Sequence, residues 1–172
     1  PSQRRSIFGG VIYQTVEKRV TSPSREIDVK PLPSQGKPAN FTGAVGSFEF
    51  SVDPSKTTLD AGESLTASVK VRGRGNLMLF DLPDLTVPSS LEIYEPERKE
   101  NFSSTLNGTQ GSLTEDYTIV PTRKGKYPIP GLNFSYFDPR SETYKSISTD
   151  DIVIDVENGP VGTPATSGST TN

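Results

Sequence analysis

Cysteine, histidine and tryptophan are absent from this sequence of 172 residues, and methionine occurs once. Without cysteine and histidine, the chain can form no disulfide, no Ser-His-Asp triad and no zinc site built on thiolate or imidazole ligands. Catalysis would therefore have to rest on carboxylates, lysine, tyrosine or a metal ion held by oxygen atoms. We expect a protein that is not an enzyme and that holds no cofactor and no resident metal.

Long apolar runs and an overall basic charge are also missing. No stretch reaches the roughly 18 apolar residues of a membrane-spanning helix, and the formal net charge is -3. Residues 1–40 carry seven basic and three acidic side chains, so the remainder is clearly acidic. An acidic surface repels phosphate groups, and we therefore expect no nucleic acid partner.

Glycine and proline are plentiful, with 15 of each, and they favour short elements joined by turns. Apolar and polar residues alternate most regularly over residues 65–72, where Leu65, Val69 and Val71 share one face of a predicted strand. Turn signals recur at roughly 8–12 residues, which is typical of a β-sandwich. We predict an all-β, immunoglobulin-like β-sandwich over residues 42–157, without the Cys-Trp-Cys core of antibody domains.

The rest of the chain predicts three flanking segments. Residues 1–30, with predicted strands over Val11–Val20 and Arg25–Lys30, are expected to be the C-terminal strands of a truncated preceding domain of the same kind. Residues 31–41 are a predicted proline-rich linker, and residues 158–172 a predicted flexible tail or linker. Within the sandwich, Gly73–Asn76 is predicted as a turn.

Two groups of side chains leave alternative interpretations open. Asp150 and Asp151 precede the last predicted strand and are interpreted as solvated turn residues, or alternatively as ligands of a Ca²⁺ ion. The aromatic residues are interpreted as core, or alternatively as a sugar-stacking face; the residues concerned are Tyr94, Tyr117, Tyr127, Tyr136, Phe137 and Tyr144.

Several stretches resemble a known family. They are Lys30–Pro33, Gly36–Gly46, Gly73–Asn76, Asp81–Pro83, Tyr117–Pro121, Gly125–Pro130 and Phe134–Pro139. Together they resemble the bacterial aerotolerance (oxygen tolerance) protein family BatD, over about residues 11–157. No catalytic residue is carried over by the resemblance.

The resemblance implies an envelope protein with a signal peptide, several extracytoplasmic β-sandwich domains and a C-terminal membrane helix. Family members are encoded beside von Willebrand factor A-domain membrane proteins, tetratricopeptide proteins and a MoxR-type ATPase. We therefore expect a soluble, periplasmic fragment of a membrane-anchored inner-membrane protein, and partners among the von Willebrand A-domain and tetratricopeptide proteins.

Exposed sheet edges are the predicted means of partner binding, because an unpaired strand can accept a strand from another protein. The candidate partner-binding residues lie in two predicted strands: Glu97, Lys99, Asn101 and Ser103 in one, Thr143 and Lys145 in the other. The alternative function is a carbohydrate-binding module of the cell envelope that uses exposed tyrosines. An enzyme that works through carboxylates is a third alternative.

Overall fold

The computed structural model describes residues 2–5, 11–14, 19, 21–24, 26–106 and 108–160, which contain twelve β-strands and no helix. The strands are β1 (Ser2–Arg5), β2 (Val11–Gln14), β3 (Gly46–Pro54), β4 (Thr58–Leu59), β5 (Leu65–Gly75), β6 (Leu91–Ile93), β7 (Glu97–Thr105), β8 (Gly108–Pro121), β9 (Gly125–Ile129), β10 (Asn133–Asp138), β11 (Thr143–Ser148) and β12 (Ile152–Val156). The chain divides into two units, Pro1–Leu32 and Pro33–Asn172. The all-β class predicted from the alternation is confirmed.

The first unit contains the antiparallel pair β1–β2. The strand predicted over Val11–Val20 is formed at Val11–Gln14, and most of the remainder lies outside the described residues. The strand predicted over Arg25–Lys30 is wrong, because the described residues 26–30 form no strand. Ile27 and Val29 are 80% and 82% exposed, so no sheet covers the apolar side of their alternation.

The second unit contains a large antiparallel sheet with the strand order β3-β5-β8-β6, and β7 also pairs with β8. Phe50 of β3 lies opposite Val71 of β5, which in turn lies opposite Leu113 of β8. All three side chains are buried. The alternation in the sequence therefore places one apolar face of this sheet in the core and one polar face in solvent.

Smaller sheets cover the apolar face. β10 and β11 form an antiparallel hairpin, while β12 pairs with β4 in parallel and with β9 in antiparallel. Pro128 and Pro130 predict that this segment is an edge strand or a crossover, because proline donates no ladder hydrogen bond. That prediction is confirmed, since β9 stands at the end of its sheet and pairs with β12 alone among the described strands.

Aromatic side chains join the layers at one end of the core. Phe134 of β10 stacks on Phe50 with ring centroids 5.4 Å apart and also contacts Phe48 and Phe80. Further along, Ile154 and Val156 of β12 are fully buried in the same cluster. Apolar side chains of several sheets thus share one core, an arrangement consistent with the predicted immunoglobulin-like β-sandwich.

The turn predicted at Gly73–Asn76 is wrong in its position. β5 continues through Gly75, which lies opposite Gly46 of β3. The chain turns at Asn76, whose side-chain amide donates to the Gly43 carbonyl and whose side-chain oxygen accepts from the Val45 amide. Gly73 and Gly75 lead to the prediction of a turn, but in the structure they allow β5 to continue with backbone angles that other residues rarely adopt.

Residues of the predicted linker and tail that belong to the second unit make specific contacts within it. Phe41 packs edge-on against Tyr144, and the Tyr144 hydroxyl donates to the Pro33 carbonyl. At the other end, the Asn158 carbonyl accepts from the Ala61 amide. Pro33 and Phe41 of the predicted linker and Asn158 of the predicted tail therefore contact the sandwich.

Candidate partner-binding surface

The β7 strand forms part of one edge of the large sheet. It pairs along its whole length with β8, from Glu97 opposite Asp116 to Thr105 opposite Gly108, and with no other described strand. Apart from the half-buried Phe102, its residues are exposed. The sequence prediction that this strand lies at a sheet edge is therefore confirmed, while its role in partner binding stays a prediction.

The direction of the backbone groups along β7 follows from the antiparallel ladder. The Thr118 carbonyl of β8 accepts from the Tyr94 amide, so even-numbered β8 residues direct their backbone groups to this side. In an antiparallel pair of strands, only every second pair of opposite residues exchanges backbone hydrogen bonds. The even-numbered β8 residues lie opposite odd-numbered β7 residues, so the odd-numbered β7 residues direct their backbone amides and carbonyls toward β8. The amides of Glu100, Phe102 and Ser104 therefore point to the free edge.

Charge divides this edge into two halves. Residues 97–100 are all charged, whereas residues 101–105 carry no charge. Charged side chains on an edge strand oppose uncontrolled strand pairing. The uncharged residues Asn101–Ser104 are therefore the part of the edge that is open to an added strand.

Arg98 connects the charged half to the interior of the sandwich. Its guanidinium lies 2.9 Å from Glu100, 3.2 Å from Asp81 and 3.4 Å from Glu115. The hydrogen bond to Glu100 raises the pKa of Arg98, although burial acts in the opposite direction. Glu115 is buried on the core face of β8 and also accepts a hydrogen bond from Tyr117. Arg98 thus supplies the cation that this carboxylate needs.

The four candidate residues of β7 all point to the polar face of the sheet. Lys99 donates to Asp116 at 2.7 Å, and Asp116 also accepts from Ser68. The Lys99 hydrogen bond is the main reason that the pKa of Asp116 is lowered. Glu97 lies 3.6 Å from Lys99, while Asn101 and Ser103 line a shallow concavity of about 670 Å³.

Thr143 and Lys145 are in β11, which belongs to a different sheet from β7. Lys145 donates to Asp138 at 2.6 Å, and Thr143 bonds with Ser141. The Lys145 hydrogen bond and the Arg140 amide lower the pKa of Asp138 to about 2. The two groups of candidate residues therefore belong to two separate surfaces, and Lys145 already has an intramolecular partner.

The structure also shows where the residues of the two alternative sites, the Ca²⁺ site and the sugar-stacking face, are located. Asp151 accepts a hydrogen bond from the Gly131 amide, and the described residues contain no group of three or more acidic side chains placed to hold a metal ion. Among the aromatic residues, Tyr117, Tyr136 and Phe137 are buried. A sugar-binding face would therefore have to depend on Tyr94 and the half-buried Tyr127 and Tyr144.

A row of cations on β5 is a feature that the sequence analysis did not single out. Lys70, Arg72 and Arg74 are exposed on the polar face, beside the concavity lined by Asn101 and Ser103. The signal is present in the sequence, because these cations alternate with Val69, Val71 and Gly73. The same alternation that predicts the strand also places the three cations on its polar side.

Comparison with known families gives one match. Residues 52–156, more than half of the chain, match the family model described as the BatD DUF11-like domain. The match extends from within β3 to the last residue of β12. No curated protein and no solved structure matches the chain significantly. Within the described residues, no helix has the length and hydropathy needed to cross a membrane.

Proposed function

Since the chain belongs to the BatD family, we propose that it is a non-enzymatic protein-interaction module of a membrane-anchored, extracytoplasmic aerotolerance protein. Family membership, expected from the sequence resemblance, is confirmed by the match over residues 52–156. The proposed location is the periplasm. The proposed partners are von Willebrand A-domain membrane proteins and tetratricopeptide proteins of the envelope.

The open edge of β7 is the observation that supports a role in protein interaction. The uncharged residues Asn101–Ser104 lie in a strand that pairs only with β8 among the described strands. The amides of Phe102 and Ser104 point away from β8 and are available to a strand of a partner. Strand addition gives affinity through main-chain hydrogen bonds and needs no catalytic group.

Two substitutions at one position test this role. Ser104→Pro removes an edge-facing amide, whereas Ser104→Ala removes only the hydroxyl that bonds with Thr109. The full chain is titrated by calorimetry with the extracytoplasmic part of a von Willebrand A-domain protein encoded beside it, with and without Mg²⁺. We expect saturable binding by the wild type and by Ser104→Ala, and at least tenfold weaker binding by Ser104→Pro.

Thermal unfolding of the same variants is the control. Proline is tolerated on an edge strand when its amide faces solvent, so Ser104→Pro is expected to unfold within a few degrees of Ser104→Ala. Absence of wild-type binding at high micromolar concentration would reject this partner. Wild-type affinity in Ser104→Pro would reject the β7 edge as the binding site.

A further inference from the structure

Three cations form a row on the polar face of the large sheet, which we call the basic row. Its members Lys70, Arg72 and Arg74 occupy alternate positions of β5, and all three are exposed. Alternate residues of a strand lie on one face at a spacing of about 6.6–6.8 Å. The row is thus a regular set of positive charges within a part of the chain that is acidic overall.

None of these three cations takes part in an ion pair with another described residue. The Arg74 guanidinium donates only to the neutral side chain of Gln110, at 3.2 Å. Glu49 lies opposite Arg72 in the register without forming an ion pair. Elsewhere in the described structure, Arg98, Lys99 and Lys145 each contact a carboxylate.

The acidic side chains on the same face include Glu49, which lies opposite Arg72, and Asp53 and Asp116, which lie beyond Lys70. Asp116 is occupied by Lys99 and Ser68, and Asp53 accepts from Ser51. The charge of Lys70 acts on Asp116 at longer range. Asp53 and Asp116 are thus engaged by other side chains, and the end of the face that contains Arg72 and Arg74 has two cations beside the single carboxylate of Glu49 among the described residues.

Neutral hydrogen-bonding groups surround this basic end. The concavity of about 670 Å³ is lined by the basic row together with Asn101, Ser103, Gln110 and Ser112. Amide and hydroxyl side chains can donate to and accept from a peptide backbone. Gly73 and Gly111 also line this concavity.

We propose that this face binds an extended acidic segment of a partner protein, with carboxylates at alternate residues placed over the basic row. The spacing of the row equals that of alternate residues in an extended peptide, which a single phosphate group would not use. The contact is separate from the β7 edge, because it uses side chains on a sheet face and no free backbone amide. It therefore goes beyond the proposed edge contact and does not depend on it.

The test uses the full chain and a synthetic peptide of eight residues in which glutamate alternates with threonine. A peptide with glutamine in place of glutamate is the comparison. Binding is measured by calorimetry at low ionic strength. We expect saturable binding of the glutamate peptide, at least tenfold weaker binding of the glutamine peptide, and weaker binding as salt is added.

Two double variants of equal net charge identify the surface. Lys70→Gln with Arg72→Gln removes part of the basic row, whereas Arg123→Gln with Lys124→Gln removes two exposed cations that also form no ion pair with a described residue. We expect the first pair to weaken peptide binding at least tenfold and the second less than twofold. Both should retain the thermal unfolding temperature of the wild type.

Five results would overturn the proposal. They are absence of peptide binding, equal losses in the two double variants, and binding of inorganic phosphate or of vesicles with anionic lipids in place of the peptide. The fourth is a concentration-dependent dimer that only the Lys70→Gln and Arg72→Gln changes dissociate, because it would assign the face to a second copy of the chain. Ser104→Pro is expected to leave peptide binding unchanged, and a tenfold loss in that variant would also contradict a separate face site.

Discussion

Gly73 of β5 and Gly111 of β8 lie directly opposite each other in the large sheet, and their φ angles are +157° and +152°. A Cβ atom on Gly111 would collide with the Asn101 carbonyl oxygen, and one on Gly73 with the Ser47 carbonyl oxygen. Neighbouring strands therefore approach closely at this position. Phe48 lies opposite Gly73 and covers it with its ring, which explains why an aromatic residue accompanies the glycines.

The close approach at Gly111 predicts an unusually harmful alanine substitution. Gly111→Ala adds both backbone strain and a collision with Asn101, so we expect a loss of more than about 3 kcal/mol in the free energy of unfolding. Gly62→Ala is the matched control, because Gly62 has a φ of +86° but open space around it. It should cost only about 1–2 kcal/mol. Urea denaturation measures both, and equal losses would contradict the close packing.

The aromatic contacts of Phe134 predict that it stabilises the packing of β10 against the large sheet. Phe134 is buried against Phe48, Phe50 and Phe80, so Phe134→Ala should lower the free energy of unfolding by about 3–5 kcal/mol. Leu79 is 75% exposed, and Leu79→Ala should change the free energy of unfolding by less than about 0.5 kcal/mol. Chemical denaturation compares the two, and a loss below about 1 kcal/mol in Phe134→Ala would be inconsistent with this packing.

The position of Glu115 predicts coupling between two substitutions. Arg98→Gln leaves the buried Glu115 carboxylate without its cation, and we expect a loss of about 1–3 kcal/mol in the free energy of unfolding. Glu115→Gln removes that charge, so Arg98→Gln should cost clearly less in its presence. A double-mutant cycle measured by denaturation tests this coupling. Additive losses would show that Arg98 acts independently of Glu115.

The hydrogen bond between Lys145 and Asp138 predicts a pH dependence. The pKa of Asp138 is lowered from 3.8 to about 2, so its contribution to stability is fully present above pH 3.8 and is lost as the pH falls toward 2. Lys145→Gln should raise the pKa of Asp138 toward 3.8, because the largest cause of the shift is removed. Carboxyl NMR titration measures this pKa. An unchanged value in Lys145→Gln would assign the shift to the Arg140 amide instead.

Alternation was sufficient to predict strands whose one face enters the core. β5 is the clearest example, since its apolar residues alternate regularly and are buried, and in β12 the expected inward residues Ile154 and Val156 are buried while Val153 on the opposite side is exposed. β1 was not predicted because its sequence, Ser-Gln-Arg-Arg, has no apolar alternation, and its pairing with β2 is a matter of backbone register. Conversely, Ile27 and Val29 alternate with charged residues but are exposed, and no sheet in the part of the chain that the structure describes covers them.

The candidate site could be predicted only in part. The outward side chains of Glu97, Lys99, Asn101 and Ser103 follow from alternation within one strand, and their exposed edge position is confirmed. That Lys145 is held by Asp138 could not be predicted, because the contact depends on the register of β10 and β11. The basic row could be predicted from the alternation alone, because Lys70, Arg72 and Arg74 occupy the polar positions of β5.

The sequence alone determined the chemistry available to this protein and the class of its fold. The absence of cysteine and histidine excludes disulfides and any reaction or metal site that needs a thiolate or an imidazole. Short alternating segments separated by glycine and proline favour a β-sandwich. Only the tertiary structure decided that β7 is an edge, that Gly73 and Gly111 meet, and that Lys70, Arg72 and Arg74 lie without ion pairs among the described residues. Strand order and register decide such relationships, because they bring together residues that are distant in sequence, which no local pattern specifies.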